Sequence, residues 1–309
     1  MAFFYALRPV SKSFSVSKRC FSFSRHLLSS PETFKVDNSL LMKLRKETQI
    51  QISKAREALQ HSNNNYSKAL EWLEKDLSTS GALKAQKVKD RAVEEGVVSV
   101  HINDSHSAAS IVSLSCETDF VSRNDSFALL ASKLAQTACS QIAPHFALNV
   151  GTLHDNQSVL ETQVSSQNPS TVLNIINESI AKLSENIVLT CTFTQAFNPQ
   201  NNFIASYVHG KTTADPNTGK ICSLVSFTVD SSLHQNQDFI KLAKRIAQQV
   251  VAFKPLCLTG SDASNDQVSL LDSEFMFGGG TVRDVLLAES QKLNSQIEIS
   301  SIKWVEAAK

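Results

Sequence analysis

Long hydrophobic runs are missing from this 309-residue chain. No stretch approaches the about 18 consecutive apolar residues that a bilayer-crossing helix needs, so no segment is expected to span a membrane. An excess of one charge is missing too. Thirty Lys and Arg against 29 Asp and Glu leave +1, too weak a field to mark nucleic acid as the main partner. The six cysteines, Cys20, Cys116, Cys139, Cys191, Cys222 and Cys257, contain no C-x-x-C spacing, and loss of a leader with Cys20 would leave an odd set. Neither a disulfide framework nor a zinc site is suggested, and free thiols in a reducing compartment are the default. There is no Gly-x-x-x-x-Gly-Lys-Ser phosphate loop, which argues against a nucleoside triphosphate bound by this chain itself. Gly278-Gly279-Gly280 lacks the strand and helix context of a phosphate cradle. No cofactor or metal is expected. What is present, 42% hydrophobic and 19% charged residues, describes a soluble globular protein long enough for two or three domains.

Acidic residues are absent before Glu32, while Arg8, Lys12, Lys18, Arg19 and Arg25 stand among frequent serines. A basic, serine-rich, acid-poor leader over residues 1–31 is the pattern of an organellar transit peptide, not of a secretory signal with its continuous apolar core. Arg19-Cys20-Phe21-Ser22 resembles a mitochondrial matrix processing site, so the expected location is the mitochondrial matrix. A disordered basic tail would share this composition.

Two segments repeat a strand, a loop and a helix. The first reads Ile111-Val112-Ser113-Leu114, then Cys116-Glu117-Thr118-Asp119-Phe120-Val121-Ser122-Arg123-Asn124, then Phe127 with Leu130, Ala131, Leu134 and Ala138. The second reads Leu224-Val225-Ser226-Phe227, a polar stretch, then Phe239 with Leu242, Ala243, Ile246 and Val250. Both helical segments space their apolar residues as a stripe buried against a sheet. The packing positions recur, but Thr118 to Val121 has no counterpart in the Asp230 to His234 stretch, so packing alone does not need it. A repeat at a spacing of about 113 residues is too long for a solenoid.

The remaining elements follow from periodicity and turn signals. Three short helices are expected over 38–77, marked by Leu40, Leu41 and Leu44, by Ile52, Ala55 and Leu59, and by Tyr66, Ala69, Leu70 and Leu73. Asn38 or Ser39 could cap the first and Asn65 the third. Ser78-Thr79-Ser80-Gly81 reads as a breaker cluster opening a linker helix over 78–96. Its Lys84, Lys87, Lys89 and Arg91 could form a basic patch for RNA or the solvated face of a connecting helix, and no aromatics are interleaved for base stacking. Val97 to Ile102 and Ile111 to Leu114 should form a hairpin around Asn103-Asp104-Ser105-His106. Further strands are expected at Ile187 to Phe193, Phe203 to Val208, Ile221 to Phe227 and Ile297 to Val305. Helices are expected at Phe127 to Gln141, Thr171 to Leu183 and Asp238 to Phe253, with residues 151–170 as a loop. The expected fold is α+β, with a core of two related subdomains, 97–183 and 184–309, each an antiparallel sheet with helices on one face.

The run Cys116 to Val121 closely resembles the Cys-Glu-Thr-Asp-Phe-Val signature of the elongation factor Ts family, guanine-nucleotide exchange factors of elongation factor Tu. Leu44-Arg45-Lys46-Glu47-Thr48, Ala58-Leu59, Arg91 with Glu95-Gly96, Glu185-Asn186-Ile187, Ser206-Tyr207-Val208-His209-Gly210, and Phe275 with Thr281-Val282 fall in the family's order. The resemblance implies a three-helix, ubiquitin-associated-like N-terminal domain. It further implies a non-enzymatic partner of mitochondrial elongation factor Tu, GDP-bound or nucleotide-free, in a 1:1 heterodimer, with no direct nucleic-acid or membrane contact. Only some 20 residues separate Pro255 from Phe275, which leaves no room for the coiled coil that bacterial members insert and is similar to the mitochondrial branch. Gln49 stands where the family has glycine, and Lys54-Ala55 replaces Asp-Cys.

The residues divide two readings of the chemistry. Cys116 could be a nucleophile with His209 or His101 as base, but no glycine-rich nucleophile turn accompanies it and a thiol after a strand is commonly a buried one. Asp119 and Phe120 could be an N-cap and a core anchor. The resemblance implies instead that they intrude near the partner's magnesium and phosphate loop, Phe120 as an apolar wedge and Asp119 as a competing negative charge, with Thr118 and Val121 holding the tip. Arg45, Ile52, Ser53 and Arg56 fall where the family's N-terminal domain meets the partner's nucleotide-binding domain, although Ser53 and Arg56 lie in the departing stretch. Leu183 and His209 fall at core positions that touch the partner; His209 could equally be a turn histidine. A folding or assembly factor for another matrix protein is the rival class.

Overall fold

Asp37 starts the first helix. The structure is a computed structural model that describes residues 35–142, 151–165, 168–259 and 269–308, so the leader lies outside the described residues. Helix α1 (Asn38–Thr48) is capped by the Asp37 carboxylate, which accepts from Ser39 N at 2.8 Å, one residue earlier than the cap expected from sequence. The chain then turns through Gln49, at φ 54°, the left-handed region that favours glycine. Helix α2 (Ile52–His61) and helix α3 (Tyr66–Val88) follow, and Asn65 caps α3 as expected. Leu41, Leu44, Ile50, Ala55, Leu59 and Leu73 bury a small core between them. Lys54 ties α2 to α3, its Nζ lying 3.0 Å from Asp76 and 4.9 Å from the centroid of the Trp72 ring.

The expected break at Ser78 to Gly81 does not occur, and α3 runs unbroken to Val88. Thr79 Oγ1 donates to Lys75 O at 2.9 Å, so a local hydrogen bond satisfies the hydroxyl without leaving the helix. Gly81 serves close approach: a Cβ there would lie 3.1 Å from the backbone oxygen of Asn177, in the helix packed across it. The far end of α3 places Val88 in the core of the following half.

That core is built twice. The first half runs β1 (Glu95–Ile102), β2 (Ala108–Cys116), α4 (Asp119–Ser122), α5 (Asp125–Thr137), β3 (Gly151–Leu153), α6 (Asn156–Leu160), β4 (Gln163–Ser165), β5 (Asn168–Thr171), α7 (Val172–Leu183) and β6 (Ile187–Ala196). The second runs β7 (Asn202–His209), β8 (Thr218–Gly219), β9 (Ile221–Val229), α8 (Gln237–Phe253), α9 (Val282–Leu293) and β10 (Ile297–Glu306). The sheets are antiparallel, ordered β3-β6-β2-β1-β8 and β10-β9-β7, so β6-β2-β1 and β10-β9-β7 are equivalent. Buried details repeat as well. Ser110 on β2 donates to Ala135 O in α5 at 2.6 Å, and Ser223 on β9 donates to Ala247 O in α8 at 2.7 Å. Asn124 and Asn236 cap α5 and α8, while Thr171 and Thr281 cap α7 and α9.

Each sheet carries its helices on one face, as expected, but the strand at Ile187 to Phe193, expected in the second subdomain, is β6 of the first sheet, paired along β2, because antiparallel pairing to β2 and not position in the chain decides its place. Phe127, Leu130 and Ile176 cover the first sheet; Phe239, Ile246 and Val282 cover the second. The opposite faces are buried too, because Val98, Val100 and Ile111 of the first sheet meet Ile204, Val208 and Leu224 of the second. Helices, sheet, sheet and helices thus form four layers, and β2 and β9 are buried on both sides.

Two stretches differ from expectation. Residues 151–170 were expected as a loop but carry β3, α6, β4 and β5, pinned by buried Val159 and Val164; elements of three to five residues are too short for a period to show. Helix α5 gives way at Ala138 to a π-helical turn ending at Ile142, so the α-helical part is shorter than read. Between α8 and α9, Leu270 N donates to Cys257 O at 3.1 Å; residues 260–268 lie outside the described residues.

Candidate functional site

Strand β2 ends at Cys116, and the chain turns through two successive capped helices. Thr118 caps α4, its hydroxyl accepting from Val121 N at 3.4 Å, and Asn124 caps α5 immediately after. The expected loop tip is therefore a single helical turn, with Thr118 and not Asp119 as its N-cap. A single turn cannot bury every side. Val121 and Ser122 point inward at 8% and 2% exposure, and Phe120 points out at 83%. The core-anchor reading of Phe120 is thereby removed, whereas Phe127, Phe203, Phe227 and Phe239 fill the interior. Asp119 opens the turn and pairs with Arg123 at 3.2 Å.

Three braces hold this turn. Glu185, between α7 and β6, accepts from Thr118 Oγ1 at 2.6 Å and from Thr118 N at 3.1 Å. Glu117 accepts from Asn186 N at 2.6 Å and from Arg91 at 3.3 Å, while the Asn186 amide donates to Lys89 O and Arg91 O. Lys220, from the second half, reaches Glu95 and Gly96 O at 3.0 Å and Ser122 Oγ at 3.4 Å. Lys220 follows a strap, residues 211–219, that crosses to the first sheet as β8, where Thr213 also meets Asp125 at 3.2 Å.

Cys116 does not fit a nucleophile. It is wholly buried, its Sγ contacts Thr118 O at 3.3 Å, and burial pushes its thiol up to about 12, which leaves no thiolate at neutral pH. His101, one proposed base, is held below the ordinary imidazole range by burial.

The other sequence-selected residues fall into groups. Leu183, at the end of α7, lines a cleft of about 420 Å³ between the three-helix segment and the core, together with Gln49, Leu73 and Leu129. Across this cleft Ser126 donates to Gln49 Oε1 at 2.6 Å, tying α5 to the turn after α1. His209 ends β7 exposed and lines a groove of about 390 Å³ with Tyr207, Ala252 and Met276; the adjacent Gly210, at φ 66°, makes the turn. A smaller hollow joins Ser122 and Arg123 to Gly210 and Lys211, so the tip and the turn after His209 share one side of the core. Ile52, Ser53 and Arg56 share an exposed face of α2, and Arg45 is exposed in the last turn of α1.

A family model for elongation factor TS matches residues 117–275, just over half the chain, beginning at Glu117 beside the braced turn. The chain is 35% identical to the mitochondrial elongation factor Ts of Laccaria bicolor over 88% of both chains, and 32% identical to that of Nematostella vectensis over 79% of this chain and 91% of the relative.

The chain belongs to the elongation factor Ts family.

Similarity extends beyond mitochondrial relatives. Elongation factor Ts of Lawsonia intracellularis is 31% identical over 72% of this chain and 69% of its own. The sequence of this chain pointed to no role for Glu185, Asn186 or Lys220. Glu185 and Asn186 were visible as a motif, but their hydrogen bonds to Thr118 and Glu117 span more than 60 residues of chain, beyond any local pattern. Lys220 offered no signal apart from its position after the Asp215 to Gly219 turn.

Proposed function

We propose that this chain binds mitochondrial elongation factor Tu in the matrix as a 1:1 partner and expels its GDP by driving the α4 turn against the magnesium and phosphate contacts. The observation that carries the reading is a large aromatic side chain held 83% exposed on a turn braced from three sides. Folding gains little from Phe120 in that position, since burial of a phenylalanine contributes about 2–3 kcal/mol and this one forgoes most of it. Seating the ring in a partner would recover that term.

The magnitudes suit exchange. A nucleotide held at nanomolar affinity is bound by about 12 kcal/mol, and each tenfold loosening requires about 1.4 kcal/mol. Burial of Phe120 alone therefore covers about one to two decades, and the wider surface around Leu183, His209, Arg45, Ile52, Ser53 and Arg56 supplies more. Linkage makes the exchange reciprocal: GTP or GDP rebinding weakens the hold of this chain by the same factor. Asp119 contributes charge. In the free chain Arg123 neutralises it, so engagement exchanges one cation for the partner's magnesium or phosphate-binding groups.

The decisive measurement is release of a fluorescent GDP analogue from purified mitochondrial elongation factor Tu. Acceleration by catalytic amounts of this chain supports exchange. Binding without acceleration would favour the rival folding or assembly factor.

A further inference from the structure

We propose that Glu185 is a positioning residue for exchange, holding the α4 turn at the angle from which Phe120 enters the partner. This inference rests on the exchange reading. The carboxylate sits outside the segment that makes the tip, yet accepts from both the hydroxyl and the amide of Thr118, at 2.6 and 3.1 Å. Thr118 in turn caps α4, so both oxygens of Glu185 act on the residue from which the turn starts. A carboxylate with two converging donors fixes direction as well as distance, and charge-assisted hydrogen bonds of this kind are the stronger ones.

Geometry elsewhere sharpens the role. Lys220 touches Ser122, the last residue of α4, from the second half, so the turn is held at its start by Glu185 and at its end by Lys220. Phe120 lies between the two anchors with its ring largely exposed. In the second repeat the equivalent turn, Ser231 to Leu233, is capped by Asp230 from within its own segment, and its Leu233 is buried. The long-range brace thus accompanies the copy with an exposed aromatic. Packing can dispense with it; aiming an exposed ring needs it, because displacement of an attacking group by about 1 Å can cost about a hundredfold in rate.

The test separates aim from attachment. Release of fluorescent GDP is followed as a function of the concentration of this chain, for the unaltered protein, Glu185→Ala, Glu185→Gln, Phe120→Ala and the double variant Glu185→Ala/Phe120→Ala. The expected result for Glu185→Ala is a maximal release rate lowered about tenfold, with a half-saturating concentration within about twofold of the unaltered chain. Glu185→Gln, which keeps one acceptor and the side-chain shape, should restore part of the rate and supplies the answer if the alanine variant does not fold. The double variant should be no slower than Phe120→Ala, because a brace has nothing to aim once the ring is gone. A maximal rate unchanged in folded Glu185→Ala overturns the proposal, as does full additivity with Phe120→Ala or a loss seen only in the half-saturating concentration. Failure of the unaltered chain to accelerate release would instead sink the exchange reading and this role with it.

Discussion

Asp119 and Arg123 are paired at 3.2 Å in the free chain, Arg123 largely and Asp119 partly open to water, so the pair itself contributes little to folding. Phe120 likewise leaves most of its surface in water. Phe120→Ala and Asp119→Ala should therefore each change unfolding stability by less than about 0.5 kcal/mol while slowing GDP release at least tenfold. Thermal melting alongside the release assay checks both halves, and a normal release rate in either variant removes that side chain from the mechanism. Gln49 poses the opposite case, a residue whose effect lies in the backbone. Its φ of 54° is strained for any residue with a Cβ, and its side chain accepts from Ser126 at 2.6 Å. Replacement by alanine or glycine loses the same hydrogen bond, so comparing the two isolates the backbone term. Gln49→Gly should be more stable than Gln49→Ala by about 1 kcal/mol in urea denaturation, and equal stabilities would show that the turn relaxes without strain.

Helix α3 shows what a segment's composition conceals. Ser78 to Gly81 has the residues of a break, yet the helix passes through it because its glycine lies where α7 crosses. Gly81→Val should destabilise the protein by about 2 kcal/mol through overpacking, although valine is the better helix former; denaturant midpoints test this, and a stabilised variant would show that the crossing has room. The strands and long helices of the core were legible because each buries a periodic face: Phe127, Leu130, Ala131 and Leu134, and their counterparts from Phe239, announce themselves in one dimension. The exposed tip was legible only through resemblance and through its missing counterpart. Glu185, Lys220 and β8 were not, because their partners are distant in sequence and their own neighbourhoods are ordinary turns. The meeting of the two sheets, with both faces of β2 and β9 covered, was likewise hidden: a strand such as Ile111-Val112-Ser113-Leu114-Ser115 mixes serines with apolar residues, and both serines are buried, Ser113 accepting from Thr190 Oγ1 at 3.0 Å and the Ser115 hydroxyl without a hydrogen-bond partner among the described residues.

At the scale of the whole molecule, pH and duplication make separate demands. Burial holds His101 in the first half, His154 at the sheet edge and His234 in the second half below the ordinary imidazole range. The unfolded chain takes up these protons near pH 6.5 and the folded chain only at lower pH, so their contribution is complete above 6.5 and is lost as pH falls through the folded values. Urea midpoints should accordingly drop between pH 7.5 and pH 5.5, and a constant midpoint would mean that these rings protonate without cost. Duplication supplies the sharper test of what the tip is for. Both repeats follow a strand with a short capped turn and then a long helix, and both turns bury one apolar residue, Val121 or Leu233. Since the second repeat folds around Asp230 to His234, that pentapeptide in place of Thr118 to Ser122 supplies a cap and an inward apolar group but no phenylalanine at the tip and no hydroxyl for Glu185, which keeps only the backbone amide of position 118. The replaced chain should still unfold cooperatively, with a melting point lower by several degrees from the lost braces. Its stimulation of GDP release should vanish while the surface of Arg45, Ile52, Ser53 and Arg56 stays intact. Cooperative folding with undiminished release would show that the chain displaces nucleotide by some surface other than α4, since the tip is all that differs between the replaced and the unaltered chain.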